Sequence, residues 1–197
     1  IGESHIDGKD SALVLGDNIF YAESFSRLLQ KANEQSQGAT VFGYHVANPG
    51  AYGVAEFNSQ GKVINIEEKP VHPKSSFAVT GLYFYDQQVC DIAREIRPSH
   101  RGELEITALN QKYLEQDQLR MQLMGRGSAW LDTGTHEHLL EAAQFVQTIE
   151  KRQGLKIACP EEVAFRQGFI SAEELQQLAQ PLIKSGYGQY LLSLLNE

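Results

Sequence analysis

Residues 13–18 read Leu-Val-Leu-Gly-Asp-Asn, three aliphatic residues that end abruptly in a glycine and a carboxylate. In open α/β sheets ligands bind beyond the carboxyl ends of the strands. Asp17 occupies such an end, beside Gly16, where a ligand can approach the backbone closely. A carboxylate there suits a hard cation such as Mg²⁺, which takes few protein oxygens and completes its shell with phosphates and water. It also suits a turn or a helix cap. Residues 130–135, Trp-Leu-Asp-Thr-Gly-Thr, repeat the pattern more than a hundred residues later. Two strand-end aspartates, Asp17 and Asp132, can converge on one metal, although Asp132 could equally cap the helix that follows it, beside Thr135. Between them Glu67-Glu68-Lys69-Pro70 ends in a proline that stops a strand. Lys69 is placed there as a point charge for a phosphate, or as half of a solvated Glu-Lys pair. Arg101 precedes an expected helix start, where the backbone favours anions; as a plain loop arginine it would pair with the acidic residues that follow.

The elements that must hold these residues follow from periodicity. Ala12–Leu15 is a continuous apolar run, the pattern of a strand covered on both faces and lying inside a sheet. Phe25, Leu28, Leu29 and Ala32 recur at helical spacing, with Gly38 punctuating the end. Thr40–Val46 reads as a strand. Gly53–Phe57, the turn at Asn58-Ser59-Gln60-Gly61 and Lys62–Glu68 read as a hairpin. Ala78–Tyr85 and Leu119–Leu123 are strand-like, while Gln87–Glu95 and Leu104–Glu115 are expected helices. Beyond residue 136 the character changes. A long helix is expected from His136 to about Gln153, then no strand after Ile157. Ser171-Ala172-Glu173-Glu174 has capping-box spacing and opens a helix that Pro181 interrupts. Tyr190, Leu191, Leu192, Leu194 and Leu195 form a last apolar helical face. The expected architecture is an α/β domain over residues 1–135 and a helical C-terminal subdomain over 136–197.

Composition narrows the function. The 197 residues carry 17 basic and 25 acidic side chains, a formal charge of −8, which argues against a broad grip on nucleic acid. Two cysteines, Cys90 and Cys159, are far apart and suggest reduced thiols. No apolar run approaches a membrane span and no signal peptide opens the chain, so a cytoplasmic protein without a membrane partner is expected.

Six segments in order, "LVLGDNIFY", "AYGVAEF", "VINIEEKP", "AVTGLYFYD", "RGELEITALNQKYL" and "WLDTGTHEHLLEA", resemble the glucose-1-phosphate thymidylyltransferase family of sugar nucleotidyltransferases. The resemblance runs from residue 11 to the C-terminus. It implies a Rossmann-like nucleotidyltransferase sheet and in-line attack of a sugar-1-phosphate oxygen on the α-phosphorus of dTTP. The products would be dTDP-glucose and pyrophosphate, at the start of dTDP-rhamnose and cell-surface polysaccharide synthesis. Such chemistry needs positioning and charge neutralisation more than covalent help. By the resemblance, Asp17 and Asp132 would hold Mg²⁺, and Lys69 and Arg101 would grip the sugar phosphate. Gly53 and Glu68 would contact the hexose, Val79 and Thr80 would line its pocket, and Trp130 would lie under the metal. It further implies a homotetramer with a second, regulatory site for a feedback nucleotide-sugar, at positions matching Tyr21, Gly125, Ala158, Glu162 and Arg166.

One departure from the family pattern stands out. A glycine-rich loop ending in Thr-Arg, a following lysine and the segments that read the thymine base have no counterpart. The chain is therefore expected to be a fragment without its N-terminal strands, catalytically incompetent alone and with an exposed sheet edge. The competing expectations are a sugar-phosphate- or nucleotide-binding regulatory subunit without catalysis, and a nucleotidyltransferase using another NTP.

Overall fold

The computed structural model describes residues 2–23, 25–99 and 101–196. The chain forms two compact units, Ile1–Gly134 and Thr135–Glu197.

The first unit begins with a single helical turn, α1 (Glu3–Ile6), followed by the strands β1 (Ser11–Val14) and β2 (Asn18–Tyr21). Helix α2 (Phe25–Asn33) leads to β3 (Ala39–His45), and the hairpin β4 (Gly53–Phe57) and β5 (Val63–Glu68) comes next. Then follow β6 (Phe77–Tyr85), α3 (Val89–Glu95), α4 (Ile106–Glu115), β7 (Leu119–Leu123) and β8 (Ala129–Asp132). The main sheet has the order β5-β4-β6-β3-β7, with β1 also paired to β6. It is mixed: β3 and β7 run parallel and the other pairs antiparallel. β2 and β8 form a separate antiparallel ribbon.

Strand alternation divides the core into two layers. Val41, Tyr83 and Tyr85 pack on one face with Ile92 of α3 and Leu109 and Tyr113 of α4. Their neighbours Phe42 and Leu82 face the other way, toward Ala32 of α2 and Trp130 of β8. One buried carboxylate ties the first layer together. Asp86 accepts hydrogen bonds from Gly38 N (2.7 Å), Tyr113 Oη (2.9 Å) and both the backbone and side-chain nitrogens of Gln88. Burial opposes charge at Asp86, but these donors outweigh it and hold the carboxyl below its usual value.

The hairpin stands as expected, closed by Asn58, whose side-chain oxygen accepts from the amides of Gln60 and Lys62. Several expectations need correction. β1 is not covered on both faces. Leu13 and Val14 are 43% and 57% exposed, and among the described residues β1 pairs with β6 alone. A short apolar run fixes strand character, whereas its burial depends on which elements flank it. Gly38 does not cap α2, which ends at Asn33. With φ +84 it opens β3, and a Cβ there would lie 2.2 Å from the Gln118 carbonyl oxygen. Helix α4 starts at Ile106 rather than Leu104, because Glu105 is still extended. β2 was not foreseen.

The second unit holds α5 (His136–Gln153), α6 (Pro160–Arg166), α7 (Ala172–Ala179) and α8 (Gly186–Ser193). Thr135 caps α5, its hydroxyl accepting from His138 N at 3.2 Å, and Gly154 closes it in the left-handed region. Ser171 and Glu174 make the full reciprocal capping box of α7. Pro181 sits in a 3-10 turn over Gln180–Leu182. Leu175, Ala179, Tyr190, Leu191 and Leu194 form the core of this unit, with Cys159 buried beside them. No strand follows Ile157 among the described residues. Helix α6, opened by Pro160, was not foreseen.

Candidate functional site

Asp17 is the last of the three residues that connect β1 to β2, and Asp132 ends β8. The ribbon brings them together: Asn18 and Asp132 are Cα partners in its ladder. Thr133 then fastens the turn, its amide and hydroxyl both donating to the Asp17 carbonyl, at 2.8 and 2.9 Å. Each carboxylate has one oxygen engaged. Asp17 Oδ1 accepts from Asn18 Nδ2 at 2.8 Å, and Asp132 Oδ1 accepts from Gly134 N at 3.1 Å. A Cβ on Gly134 would lie 3.2 Å from Asp132 Oδ1 and 3.8 Å from Asp17 Oδ2, so both carboxylates face one point. The second oxygens, Asp17 Oδ2 and Asp132 Oδ2, have no hydrogen-bond partner among the described residues. Among those residues no cluster of three or more metal-ligating side chains occurs. Two carboxylates with free oxygens fit a cation that takes one or two protein carboxylates and fills its shell from water or a phosphate ligand.

A cavity of about 250 Å³ opens beside them, lined by Asp17 and Asp132, by Gly53, Glu68 and Lys69 of the hairpin, and by Trp130. Its size is below the roughly 300–1,000 Å³ of drug-sized ligands, which suits a small polar molecule. Gly53 and Glu68 are cross-strand partners. Thr107 at the start of α4 donates its hydroxyl to Glu68 Oε2, which fixes that carboxylate at the wall. A Cβ at Gly53 would sit 3.0 Å from Thr107 Oγ1 and 3.2 Å from Glu68 Oε2, so glycine keeps the wall open there. Lys69 follows β5 with φ +43, a backbone region costly to a side-chain-bearing residue. Its amide donates to the Tyr52 carbonyl at 3.0 Å, and Pro70 comes next. Lys69 lines the cavity, and its ammonium has no ion-pair or hydrogen-bond partner among the described residues. Burial, reinforced by the charges of Glu68 and Asp17, raises the Tyr83 phenol well above its ordinary range, so a neutral hydroxyl lines the same cavity.

The structure separates two pairs that the sequence grouped. Val79 lines the cavity, but Thr80 does not. Successive strand residues face opposite ways, and Thr80 is fully buried, its hydroxyl without a hydrogen-bond partner among the described residues. Arg101 is absent from the cavity wall and lies five residues before α4, farther from the helix than the expected start at Leu104 implied. It pairs with Glu103 at 3.1 Å and Glu105 at 3.2 Å. Conversely, Asn18, Tyr52, Gly81, Tyr83 and Thr107 line the cavity without having been singled out. Asn18 had a signal in its place directly after Asp17. The others are set by contacts that no short spacing encodes, such as the Thr107–Glu68 bond across 39 residues.

Residues 1–149 match the nucleotidyl transferase family model. The chain belongs to the nucleotidyl transferase family. The glucose-1-phosphate thymidylyltransferase of Xanthomonas campestris pv. campestris strain B100 is 57% identical over 194 residues, 98% of this chain and 66% of that protein. Its namesake from Neisseria meningitidis serogroup A is 55% identical over the whole chain and 68% of its own length. The one from Mycobacterium tuberculosis strain H37Rv is 56% identical over 99% of the chain and 67% of its own. This nucleotidyl transferase chain thus spans about two thirds of the length of the curated relatives it matches. A Bacillus anthracis protein described as a glucose-1-phosphate thymidylyltransferase, crystallised with sucrose, superposes with a TM-score of 0.65 at 40% identity. The match covers 73% of this chain and 57% of that one. UDP-glucose pyrophosphorylase complexed with UDP-glucose shares the fold, with a TM-score of 0.67 at 21% identity over 75% and 59% of the two chains.

The remaining positions of the nucleotidyl transferase fall in both units. Tyr21 ends β2 opposite Ala129. Gly125 lines a separate cavity with Tyr44, His45, Phe77 and Arg126, and Tyr21 is not part of it. In the second unit Ala158 has φ +56 and borders an apolar pocket with Val163 and Phe169. Glu162 accepts from Tyr190 Oη and pairs with Arg166 Nε at 2.8 Å.

Proposed function

We propose that this chain binds glucose 1-phosphate in the cavity between the hairpin and the β2–β8 ribbon and serves its thymidylylation by dTTP, yielding dTDP-glucose and pyrophosphate. One observation carries the reading: a single small cavity gathers Asp17, Asp132, Glu68, Lys69 and the open backbone of Gly53. Glu68 and the Gly53 amide suit hexose hydroxyls, which need one acceptor and one donor without bulk. Val79 and Trp130 give the sugar its apolar walls, and Thr80 supports β6 from its far side. Lys69 offsets the charge of the sugar phosphate. Arg101 joins it by exchanging Glu103 and Glu105 for the phosphate. With the phosphate held, its oxygen is presented to the α-phosphorus, and positioning supplies most of the acceleration.

Asp17 and Asp132 are the residues to hold Mg²⁺, which would neutralise phosphate charge and withdraw electron density from phosphorus. Without it the three carboxylates around the cavity repel a phosphorylated ligand. The proposal includes the homotetramer, feedback control by a nucleotide-sugar through Tyr21, Gly125, Ala158, Glu162 and Arg166, and a place at the head of dTDP-rhamnose and polysaccharide synthesis. It also includes a cytoplasmic location; no helix among the described residues is long and apolar enough to cross a membrane.

Calorimetric titration with glucose 1-phosphate in Mg²⁺ tests the core of the reading. Binding is expected, and Glu68→Ala and Lys69→Ala are each expected to weaken it about tenfold, the equivalent of roughly 1.4 kcal/mol. Absence of binding by the unaltered chain, or binding by both variants as tight as that of the unaltered chain, overturns it. Pyrophosphate release from dTTP reads the chemistry itself.

A further inference from the structure

Asn18 occupies the centre of a hydrogen-bond relay that the proposed chemistry leaves without a role. Its Oδ1 accepts from Trp130 Nε1 at 2.6 Å and from Gly81 N at 3.0 Å. Both partners are donors only, so the amide oxygen must face them and the amide nitrogen must face the other way. That nitrogen meets Asp17 Oδ1 at 2.8 Å. Flipping the amide would set Nδ2 against two N–H donors and Oδ1 against a carboxylate, three unfavourable contacts at once. The amide lies directly on the Gly81 backbone, where a Cβ would come within 2.5 Å of its oxygen, so only glycine at 81 admits it.

We propose that Asn18 is the positioning residue of the cation site, locking the Asp17 carboxylate so that Oδ2 is left for the cation and coupling that carboxylate to the sugar wall at Trp130. The inference rests on the cation reading of Asp17 and Asp132 and deepens it. Trp130 packs against Tyr52 with the rings tilted by 59° (centroids 5.0 Å) and meets Tyr44 edge-on (6.0 Å). Its indole is therefore fixed by packing independently of Asn18. The order of dependence is clear: the aromatic wall holds the indole, the indole and Gly81 hold the Asn18 amide, and the amide holds Asp17. Ligand contact at Trp130 and cation contact at Asp17 then share one amide, and hydrogen bonds in such a chain polarise one another.

The test uses Mn²⁺ alone, with bound ion counted by electron paramagnetic resonance, on the unaltered chain, Asn18→Ala, Trp130→Phe and the double variant. Asn18→Ala is expected to weaken Mn²⁺ binding by about 10–100-fold, the range for groups that orient metal ligands. Trp130→Phe, which removes no carboxylate contact, is expected to weaken it less, and the double variant to bind as Asn18→Ala does. Trp130 is the single tryptophan, so the chain has one indole N–H resonance. At Mg²⁺ concentrations that saturate each protein, the ion is expected to move that peak in the unaltered chain and to leave it still in Asn18→Ala. This spectroscopic response is one that a merely structural loss would not abolish. Unchanged Mn²⁺ affinity in Asn18→Ala, or losses that multiply in the double variant, overturn the proposal while leaving the cation reading intact. Failure of the unaltered chain to bind Mn²⁺ overturns the cation reading and the proposal with it.

Discussion

Thr133 grips the Asp17 carbonyl twice, through its amide and its hydroxyl, and so ties the β1–β2 turn to the end of β8. Two carboxylates from distant parts of the chain are thereby held at one point. Asp17→Asn and Asp132→Asn keep the shape of each side chain and remove its charge. Each is expected to lower Mn²⁺ affinity by at least about tenfold, and the pair to abolish it, since a hard cation depends on anionic oxygens. Electron paramagnetic resonance measures this; retained affinity in both single variants contradicts it.

Gly53 faces Glu68 across the hairpin and Thr107 beneath it. Gly53→Ala places a methyl group 3.0 Å from Thr107 Oγ1 and 3.2 Å from Glu68 Oε2. These side chains, both on the cavity wall, must yield by a few tenths of an ångström. Glucose 1-phosphate binding is expected to weaken about tenfold while the strands persist. Calorimetry and circular dichroism together separate this from unfolding.

Lys69 adopts φ +43 where a glycine would be at ease. A left-handed residue with a side chain costs roughly 1–2 kcal/mol, partly offset by the greater chain entropy that glycine loses. Lys69→Gly is therefore expected to raise stability by up to about 1 kcal/mol and to weaken sugar-phosphate binding. Urea denaturation checks the first effect and calorimetry the second. A variant that is both less stable and unimpaired in binding is incompatible with stored strain at a binding residue.

Asp86 supplies an acid-sensitive bond between β6, α4 and the start of β3. Its carboxyl is depressed in the folded state, so its contribution is complete above the ordinary value of 3.8 and is lost as pH falls through the lower folded value. Asp86→Asn leaves Gly38 N and Tyr113 Oη competing for one acceptor, at a cost of about 1–3 kcal/mol near neutral pH. Stability measured from pH 7 down to pH 3 is expected to fall less steeply in the variant. Parallel curves would show that Asp86 is not the titrating group.

Ser171 is the cap of α7, reciprocated by Glu174. Ser171→Ala is expected to cost about 1 kcal/mol, within the usual 0.5–2 kcal/mol for a lost N-cap. The loss should register in the melting of the second unit. A variant as stable as the parent would mean that solvent satisfies the Glu174 amide equally well.

Local chemistry made much of the molecule legible in the amino-acid sequence. The Gly53–Glu68 hairpin, the capping box at Ser171, the extent of His136–Gln153 and the two strand-end aspartates all follow from periods, caps and turn residues a few positions apart. Tertiary structure decided the rest, because burial, face and partner depend on chain segments that no local pattern specifies. It left β1 open, although its residues are as apolar as those of a covered strand. It turned Val79 toward the cavity and Thr80 away, a consequence of strand phase. It held Arg101 on Glu103 and Glu105. Above all it joined Asn18 to Gly81 and Trp130, 63 and 112 residues away, and so determined how Asp17 is aimed.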